Sequence, residues 1–266
     1  MSGKNKIRVR DIAATIEHFA PLPLQEDYDN AGLQVGFRDK TVDAVMLCLD
    51  VTEDVLAEAQ RRNCDMIVSH HPLIFRGLKN LTGADETQRI AIRALEAGIA
   101  IYSAHTNLDS AWNGVSHEMA HILGVENLSV LDPKPGTENA GLGVIGDITP
   151  MPKLEFLRKV KEKFGVKSLR FSSQSPVIVI KRVALCGGSG ASLVGKAIEA
   201  RADLFITGDV KYHDFASYGP EIVIADIGHY ESELCSMRIF SRIIRQKYPE
   251  LVVYFSEDQK NPIGVM

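Results

Sequence analysis

The sequence predicts an α/β fold built from two related halves. Short apolar runs of strand length alternate with amphipathic segments, which is typical of a largely parallel sheet covered by helices. The order of these runs in the first half returns in the second half at a constant offset. In both halves, a histidine with an acidic residue four positions later follows the third predicted strand.

The first half is expected to begin with a helix and to contain three strands. Residues 8–20 carry apolar side chains at helical spacing, and Pro21 ends this helix. Thr52 can cap a second helix, and Gly98 can close a third helix over 87–97. The strands of this half are predicted over 42–49, 65–69 and 99–104.

The second half repeats this order of elements. Val45 aligns with Val183 and Cys64 with Ala202, both at an offset of 138 residues. The third-strand motifs, at His105 and His229, are offset by 124, so the first half carries 14 additional residues, which fall in the region 73–88. A constant offset indicates a duplicated unit, although α/β units also resemble one another in composition.

The segment 128–182 differs from both halves. It is rich in proline and glycine, contains a predicted helix over 153–164 and is flanked by predicted strands over 142–148 and 177–183. The predicted organisation is a first lobe over 1–127, a β-rich connection over 128–182 and a second lobe over 183–266.

Composition excludes several classes of protein. The 266 residues are 45% hydrophobic and carry a net charge of −4, so the chain can bury a large core and is a poor general binder of nucleic acids. No apolar run approaches 18 residues, and the first ten residues lack a signal-peptide core, so we expect neither a membrane span nor a leader. Four cysteines without a CxxC pair predict a reducing, cytoplasmic location.

Side chains suited to metal binding follow the predicted strands, where open α/β sheets bind their ligands. His70 and His71 leave a strand together, and successive strand side chains point to opposite faces, so both cannot be core residues. A hydrogen-bonded pair of loop histidines remains the alternative. Two further pairs have a spacing that places both members on one helix face, either as metal ligands or as surface pairs: His105 with Asp109, and His229 with Glu233.

Together these groups predict a centre of two divalent ions. Five nitrogen and oxygen ligands exceed what one four-coordinate site with an open position requires. Such donors suit Zn, Fe or Mn. The five predicted ligands are His70, His71, Asp109, His229 and Glu233. His105 is then left to support the ligands or to carry protons.

Two further segments of the second half are candidates for substrate contact. The glycine-rich turn Gly187–Gly190 could offer its amides to a phosphate, or could serve only as a tight turn. Lys211 and His213 occupy the position that His70 and His71 have in the first half. They could meet the substrate, with His213 as a second proton carrier, or belong to a solvated loop.

Six segments in order resemble the dinuclear-metal-centre family, which is often named GTP cyclohydrolase 1 type 2 and includes the NGG-interacting-factor-like proteins. The resemblance extends from about residue 8 to the C-terminus. The segments are Asp29–Gly36, Ser69–Pro72, His105–Asp109, Gly187–Gly190, Thr207–His213 and Gly228–Glu233.

The resemblance implies two interlinked, pseudo-repeated α/β lobes with a dinuclear metal site in the cleft between them. By motif, it assigns the same five ligands, His70, His71, Asp109, His229 and Glu233, with Glu233 as the bridge. It also implies a ring-shaped homohexamer. Longer members insert a domain between the lobes, and the segment 128–182 is too short to contain it.

The resulting hypothesis is a cytoplasmic, metal-dependent hydrolase of a small, nucleotide-like substrate. Two ions would lower the pKa of a bridging water towards about 7, and His105 or His213 would move a proton. By resemblance, the reaction is that of a GTP cyclohydrolase, with attack at the purine C8. The alternative is a non-catalytic, metal-dependent binding or regulatory protein, because no residue outside the metal set is an unambiguous nucleophile. The charge of −4 disfavours a nucleic-acid-binding ring.

Overall fold

The computed structural model describes residues 6–137 and 139–266, which belong to two compact units. Unit 1 comprises the described residues up to Leu108 together with Ser236–Asn261. Unit 2 comprises the described residues of Asp109–Cys235 together with Pro262–Met266. Among the described residues, no helix is both long enough and apolar enough to cross a membrane.

The described helices and strands alternate through most of the chain. In chain order they are α1 (Val9–Phe19), β1 (Gly32–Val35), β2 (Ala44–Cys48), α2 (Glu53–Arg61), β3 (Met66–Ser69), α3 (Glu86–Ala97), β4 (Ala100–Ser103), α4 (Thr106–Ser110), α5 (Val115–Leu123), β5 (Glu126–Pro133), β6 (Gly141–Pro152), α6 (Lys153–Lys163), β7 (Arg170–Phe171), β8 (Val179–Leu185), α7 (Val194–Glu199), β9 (Leu204–Thr207), α8 (Tyr212–Tyr218), β10 (Val223–Asp226), α9 (His229–Glu233), α10 (Ser236–Lys247) and β11 (Val252–Phe255). Two 3-10 turns cover Leu22–Leu24 and Ala191–Leu193.

The sheet of unit 1 has five strands in the order β1-β4-β3-β2-β11. The strands β11, β2, β3 and β4 are parallel, and β1 adds an antiparallel edge. Every residue of β2, β3 and β4 is buried, which explains why these strands appear in the sequence as continuous apolar runs.

The local signals for the helices of unit 1 are confirmed. The side chain of Thr52 accepts a hydrogen bond from the amide of Val55 at 3.2 Å and so caps α2. Gly98 ends α3 in the left-handed conformation with φ of 66°, where glycine carries no steric penalty.

The sheet of unit 2 has six strands in the order β5-β6-β8-β9-β10-β7. Only β8, β9 and β10 are mutually parallel, whereas β5, β6 and β7 join them in antiparallel pairs. Because β6 bonds directly to β8, residues 128–182 belong to this sheet instead of forming a separate connection. The strand β11 returns to pair with β2, so the units have boundaries different from those of the predicted lobes.

The predicted repeat corresponds to equivalent strands in the two sheets. The series β2-β3-β4 matches β8-β9-β10, and each series ends beside an antiparallel strand, β1 or β7. Asp65 accepts bonds from the amides of residues 43 and 44 through Oδ2, and Asp203 accepts the same bonds from residues 181 and 182. This shared contact, again at an offset of 138, supports a duplicated unit.

A buried carboxylate attaches the segment after β11 to α2. Glu58 is 2% exposed, and its Oε2 accepts hydrogen bonds from Ser256 Oγ at 2.7 Å and from the amides of Glu257 and Asp258 at 3.0 and 3.1 Å. Arg62 Nε donates to Oε1 at 2.8 Å. Burial raises the pKa of Glu58, but these donors and the Arg62 charge outweigh burial and hold the pKa below its ordinary value of 4.5.

We expect Glu58→Gln to lower the free energy of unfolding by about 1–3 kcal/mol at neutral pH, because the buried donors lose a charged acceptor. Since the folded pKa is lowered, this stabilisation is complete above about pH 4.5 and is lost as the pH falls through the folded value. The difference between wild type and variant should therefore shrink in acid.

Urea unfolding at pH 7 and at acidic pH measures this difference. The control is Glu96→Gln, which changes an exposed carboxylate on α3. An equal loss of stability in both variants would contradict the role of Glu58.

Candidate metal centre

Three histidines lie together at the carboxyl ends of β3 and β4 in unit 1. His70 and His71 follow β3 directly, and His105 follows β4 by one residue. One nitrogen of each ring lies within 4.8 Å of the others. The ring centroids are 5.2 to 5.5 Å apart. Because β3 and β4 are parallel neighbours, their carboxyl ends meet at one sheet edge and bring the rings together.

Each of these rings is held through its Nδ1 atom. The acceptors are Ala104 O for His70 at 2.9 Å, Asp50 Oδ1 for His71 at 2.7 Å and Asp29 Oδ1 for His105 at 2.8 Å. A backbone carbonyl and a carboxylate only accept, so Nδ1 donates in each case and Nε2 is the atom set to coordinate a metal. This support is typical of metal-binding histidines.

Asp29 is a buried carboxylate that joins the segment before β1 to the end of β4. Its side chain is 0% exposed and accepts from His105 Nδ1, from the Thr106 amide at 3.0 Å and from the Thr106 hydroxyl. Burial raises the pKa of Asp29, but the hydrogen bonds from His105 and Thr106 outweigh burial and lower the pKa to about 2. Asp29 therefore remains a carboxylate and fixes the His105 ring.

A second set of donors lies in unit 2, on α9. His229 Nε2 is 3.0 Å from Glu233 Oε2, as their spacing of four residues on one helix face predicts. His229 Nδ1 donates to Asp209 Oδ2 at 2.7 Å, and Glu233 is 2% exposed. This imidazole is therefore also held through Nδ1 by a carboxylate.

The glycine-rich turn after β8 packs against this pair. A Cβ on Gly188, whose φ is 60°, would lie 2.1 Å from Glu233 Oε1 and 3.3 Å from His229 Cε1, so only glycine fits. Three of the turn's amides donate to hydroxyls within unit 2: Gly187 to Ser116, Gly188 to Ser232 and Gly190 to Thr207. The prediction that these amides hold a phosphate is wrong, because internal hydroxyls already accept their hydrogens.

Asp109 and Glu233 also affect the buried thiol of Cys186 within unit 2. Burial raises the pKa of Cys186 first, and the charges of Asp109 and Glu233 raise it further. All four cysteines of the chain are free and buried, and the pKa of each thiol is raised. The thiols therefore remain protonated, and the candidate ligands are nitrogen and oxygen atoms.

The structure separates the two predicted proton carriers. His105 belongs to the histidine group of unit 1, with its ring 5.4 Å from His70 and 5.5 Å from His71. His213 is exposed on α8, and its ring contacts the neighbouring Tyr212 at 5.4 Å. Within the described residues, His213 joins no group of side chains that could hold a metal.

The sequence analysis missed the carboxylates that orient the histidines. Asp29 entered it only within a longer motif, whereas Asp50 and Asp209 were not singled out. Their signal was an acidic residue just beyond a predicted strand: Asp50 lies two residues after β2 and Asp209 two residues after β9.

A cavity of about 430 Å³ in unit 1 is separate from the histidines. Its lining includes Val35, Ile74, Leu78 and Leu95, and it contains none of the candidate ligands. The chemistry of the donor atoms therefore identifies the candidate centre, and concavity does not.

Comparisons with known proteins extend over nearly the entire chain. The profile of the Duf34/NIF3 (NGG1p interacting factor 3) family matches residues 7–262. A GTP cyclohydrolase 1 type 2 homolog of Clostridium perfringens is 36% identical over 259 residues, which are 96% of this chain and 98% of that protein. NIF3-like protein 1 of Drosophila melanogaster is 30% identical over 261 residues, 95% of this chain and 87% of that protein.

Two solved structures share this fold. The hypothetical protein SA1388 of Staphylococcus aureus has a TM-score of 0.89 at 27% identity, with 98% of this chain and 100% of that chain covered. Reduced HcgD from Methanocaldococcus jannaschii has a TM-score of 0.81 at 28% identity, with 95% and 99% covered.

We expect Asp50→Ala to weaken binding of a divalent ion by about 10- to 100-fold, because His71 loses the acceptor that orients its ring. Titration of the apoprotein with Zn²⁺ against a competing chelator measures this affinity. Asp54→Ala removes an exposed carboxylate from α2 and is the matched control. Unchanged affinity in Asp50→Ala would show that the hydrogen bond does not support a ligand.

Proposed function

This chain belongs to the Duf34/NIF3 family, and we propose that it is a hydrolase dependent on two divalent metal ions. The proposed ligands are His70, His71, Asp109, His229 and Glu233. The observation that carries the proposal is the way the histidines are held, because each of the four described above donates through Nδ1 to a carboxylate or a carbonyl.

The donor atoms fit Zn, Fe or Mn better than softer metals. Imidazole nitrogens and carboxylate oxygens suit these ions, and the buried thiols supply no thiolate. Glu233 has two carboxylate oxygens and is the proposed bridging ligand. The backbone of Gly188 restricts the movement of this carboxylate from one side.

Bound divalent ions would supply an acidified water and a Lewis acid for hydrolysis. His105 is the proposed proton carrier of the protein. Its Nδ1 is bound to Asp29, whose lowered pKa keeps a negative charge beside the ring. This charge favours a protonated imidazole once His105 has accepted a proton, and the hydrogen bond fixes the direction in which Nε2 points. A role for His213 stays a prediction.

The proposed substrate is a nucleotide-like small molecule. Support comes from the names of relatives, which are called GTP cyclohydrolase 1 type 2 homologs, and the reaction proposed on that basis is hydrolytic attack at the purine C8. We also propose a cytoplasmic homohexamer. The free thiols of all four cysteines are consistent with a reducing compartment.

We expect Glu233→Gln to reduce the metal content of purified protein from about two ions per chain and to slow GTP hydrolysis about 100-fold or more, because a bridging carboxylate is lost. Metal analysis of anaerobically purified protein and a turnover assay with the restored ion measure these two effects. Glu221→Gln, an exposed change in unit 2, is the control.

Full turnover by Glu233→Gln at reduced metal content would contradict the metal mechanism. Fewer than about two ions in the wild type would contradict a dinuclear centre. Metal-loaded wild type that turns over no nucleotide, phosphodiester or cyclic amide would instead indicate a metal-dependent binding protein.

A further inference from the structure

Two exposed aromatic rings lie next to the histidine group of unit 1. Tyr28 is 66% exposed and Phe75 is 43% exposed, and their ring centroids are 6.3 Å apart. The Phe75 ring meets His105 edge to face at 6.1 Å between centroids. The aromatic surface is therefore continuous with the ring that we propose as the proton carrier.

Hydrogen bonds from the surrounding chain hold the backbone beside both rings. Ile74, which precedes Phe75, donates its amide to Gln34 Oε1 at 3.2 Å and accepts from Asn30 Nδ2 at 2.6 Å. Tyr28 directly precedes the buried carboxylate of Asp29. The same segment of chain thus fixes both aromatic residues, so their positions are organised before any ligand binds.

The loop that carries Phe75 has no counterpart in the second half of the repeat. It lies in the region 73–88, which contains the 14 residues that the first half has in addition. The pseudo-repeated fold alone therefore does not require this loop. Its exposed residues Arg76 and Lys79 add positive charge close in sequence to the aromatic ring.

We propose that Tyr28 and Phe75 form a platform that binds the purine ring of the substrate. Exposed, fixed aromatic rings stack on planar heteroaromatic rings, because every such ring offers a π-face. The platform borders His105, so a purine stacked there lies beside the proposed proton carrier. This inference rests on the proposed function and specifies the part of the substrate that the platform recognises.

Calorimetric titration of the full-length, Zn²⁺-loaded protein with guanosine 5′-monophosphate tests the platform. We expect Phe75→Ala and Tyr28→Leu each to weaken binding about 10-fold through loss of stacking. Neither residue is a proposed ligand, so the metal content of both variants should equal that of wild type. Phe37→Ala is the matched control, because Phe37 is 69% exposed in the same unit and lies outside the platform.

Ribose 5-phosphate, which lacks the base, separates ring recognition from phosphate recognition. Its affinity should be the same in wild type and in both platform variants. Wild type that binds guanosine 5′-monophosphate no better than ribose 5-phosphate would overturn the proposal. Unchanged nucleotide affinity in both platform variants would overturn it as well.

The oligomeric state of each variant, measured by light scattering, tests an interface between copies of this chain. If the platform variants dissociate while nucleotide affinity stays constant, the aromatic pair is an interface and the proposal is wrong. Failure of the proposed function would appear separately, as lost turnover or low metal content in wild type.

Discussion

The candidate site depends on hydrogen bonds that fix histidine Nδ1 atoms at the ends of buried strands. An imidazole can rotate and can carry its proton on either nitrogen, so it binds a metal well only when an acceptor selects one arrangement. Carboxylates provide that acceptor for His71, His105 and His229, and the carbonyl of Ala104 provides it for His70. The burial of Asp29 strengthens this constraint, because its donors keep it ionised away from water.

The two sheets provide such positions because both contain three parallel strands in the same order. Polar residues that follow neighbouring parallel strands meet at one edge, whichever unit they belong to. The units then differ in what surrounds the strands. Unit 1 places a long loop with Phe75 beside its histidines, whereas unit 2 places the turn with Gly188 against its helical His–Glu pair. One duplicated framework therefore supports an aromatic surface in one unit and a tightly enclosed carboxylate in the other.

Much of the fold and of the proposed ligand set could be predicted from local sequence. Buried parallel strands require apolar runs, Thr52 and Gly98 sit at helix ends for steric and hydrogen-bonding reasons, and a spacing of four residues places His229 beside Glu233. The repeat was visible because Asp65 and Asp203 keep equivalent roles at a fixed offset. Each of these features depends on residues that are close in the chain or that recur at a constant interval.

The sequence by itself thus determined which side chains carry the chemistry and the order of the strands that present them. Only the tertiary structure decided what those side chains contact. Asp29 reaches His105 across 76 positions and Asp50 reaches His71 across 21, and no periodicity encodes such pairs. The turn after β8 could bind a phosphate until folding brought Ser116, 71 positions away, to the Gly187 amide. Pairing of β11 with β2 likewise decided where unit 1 ends, because strand pairing is a long-range contact that a local pattern does not specify.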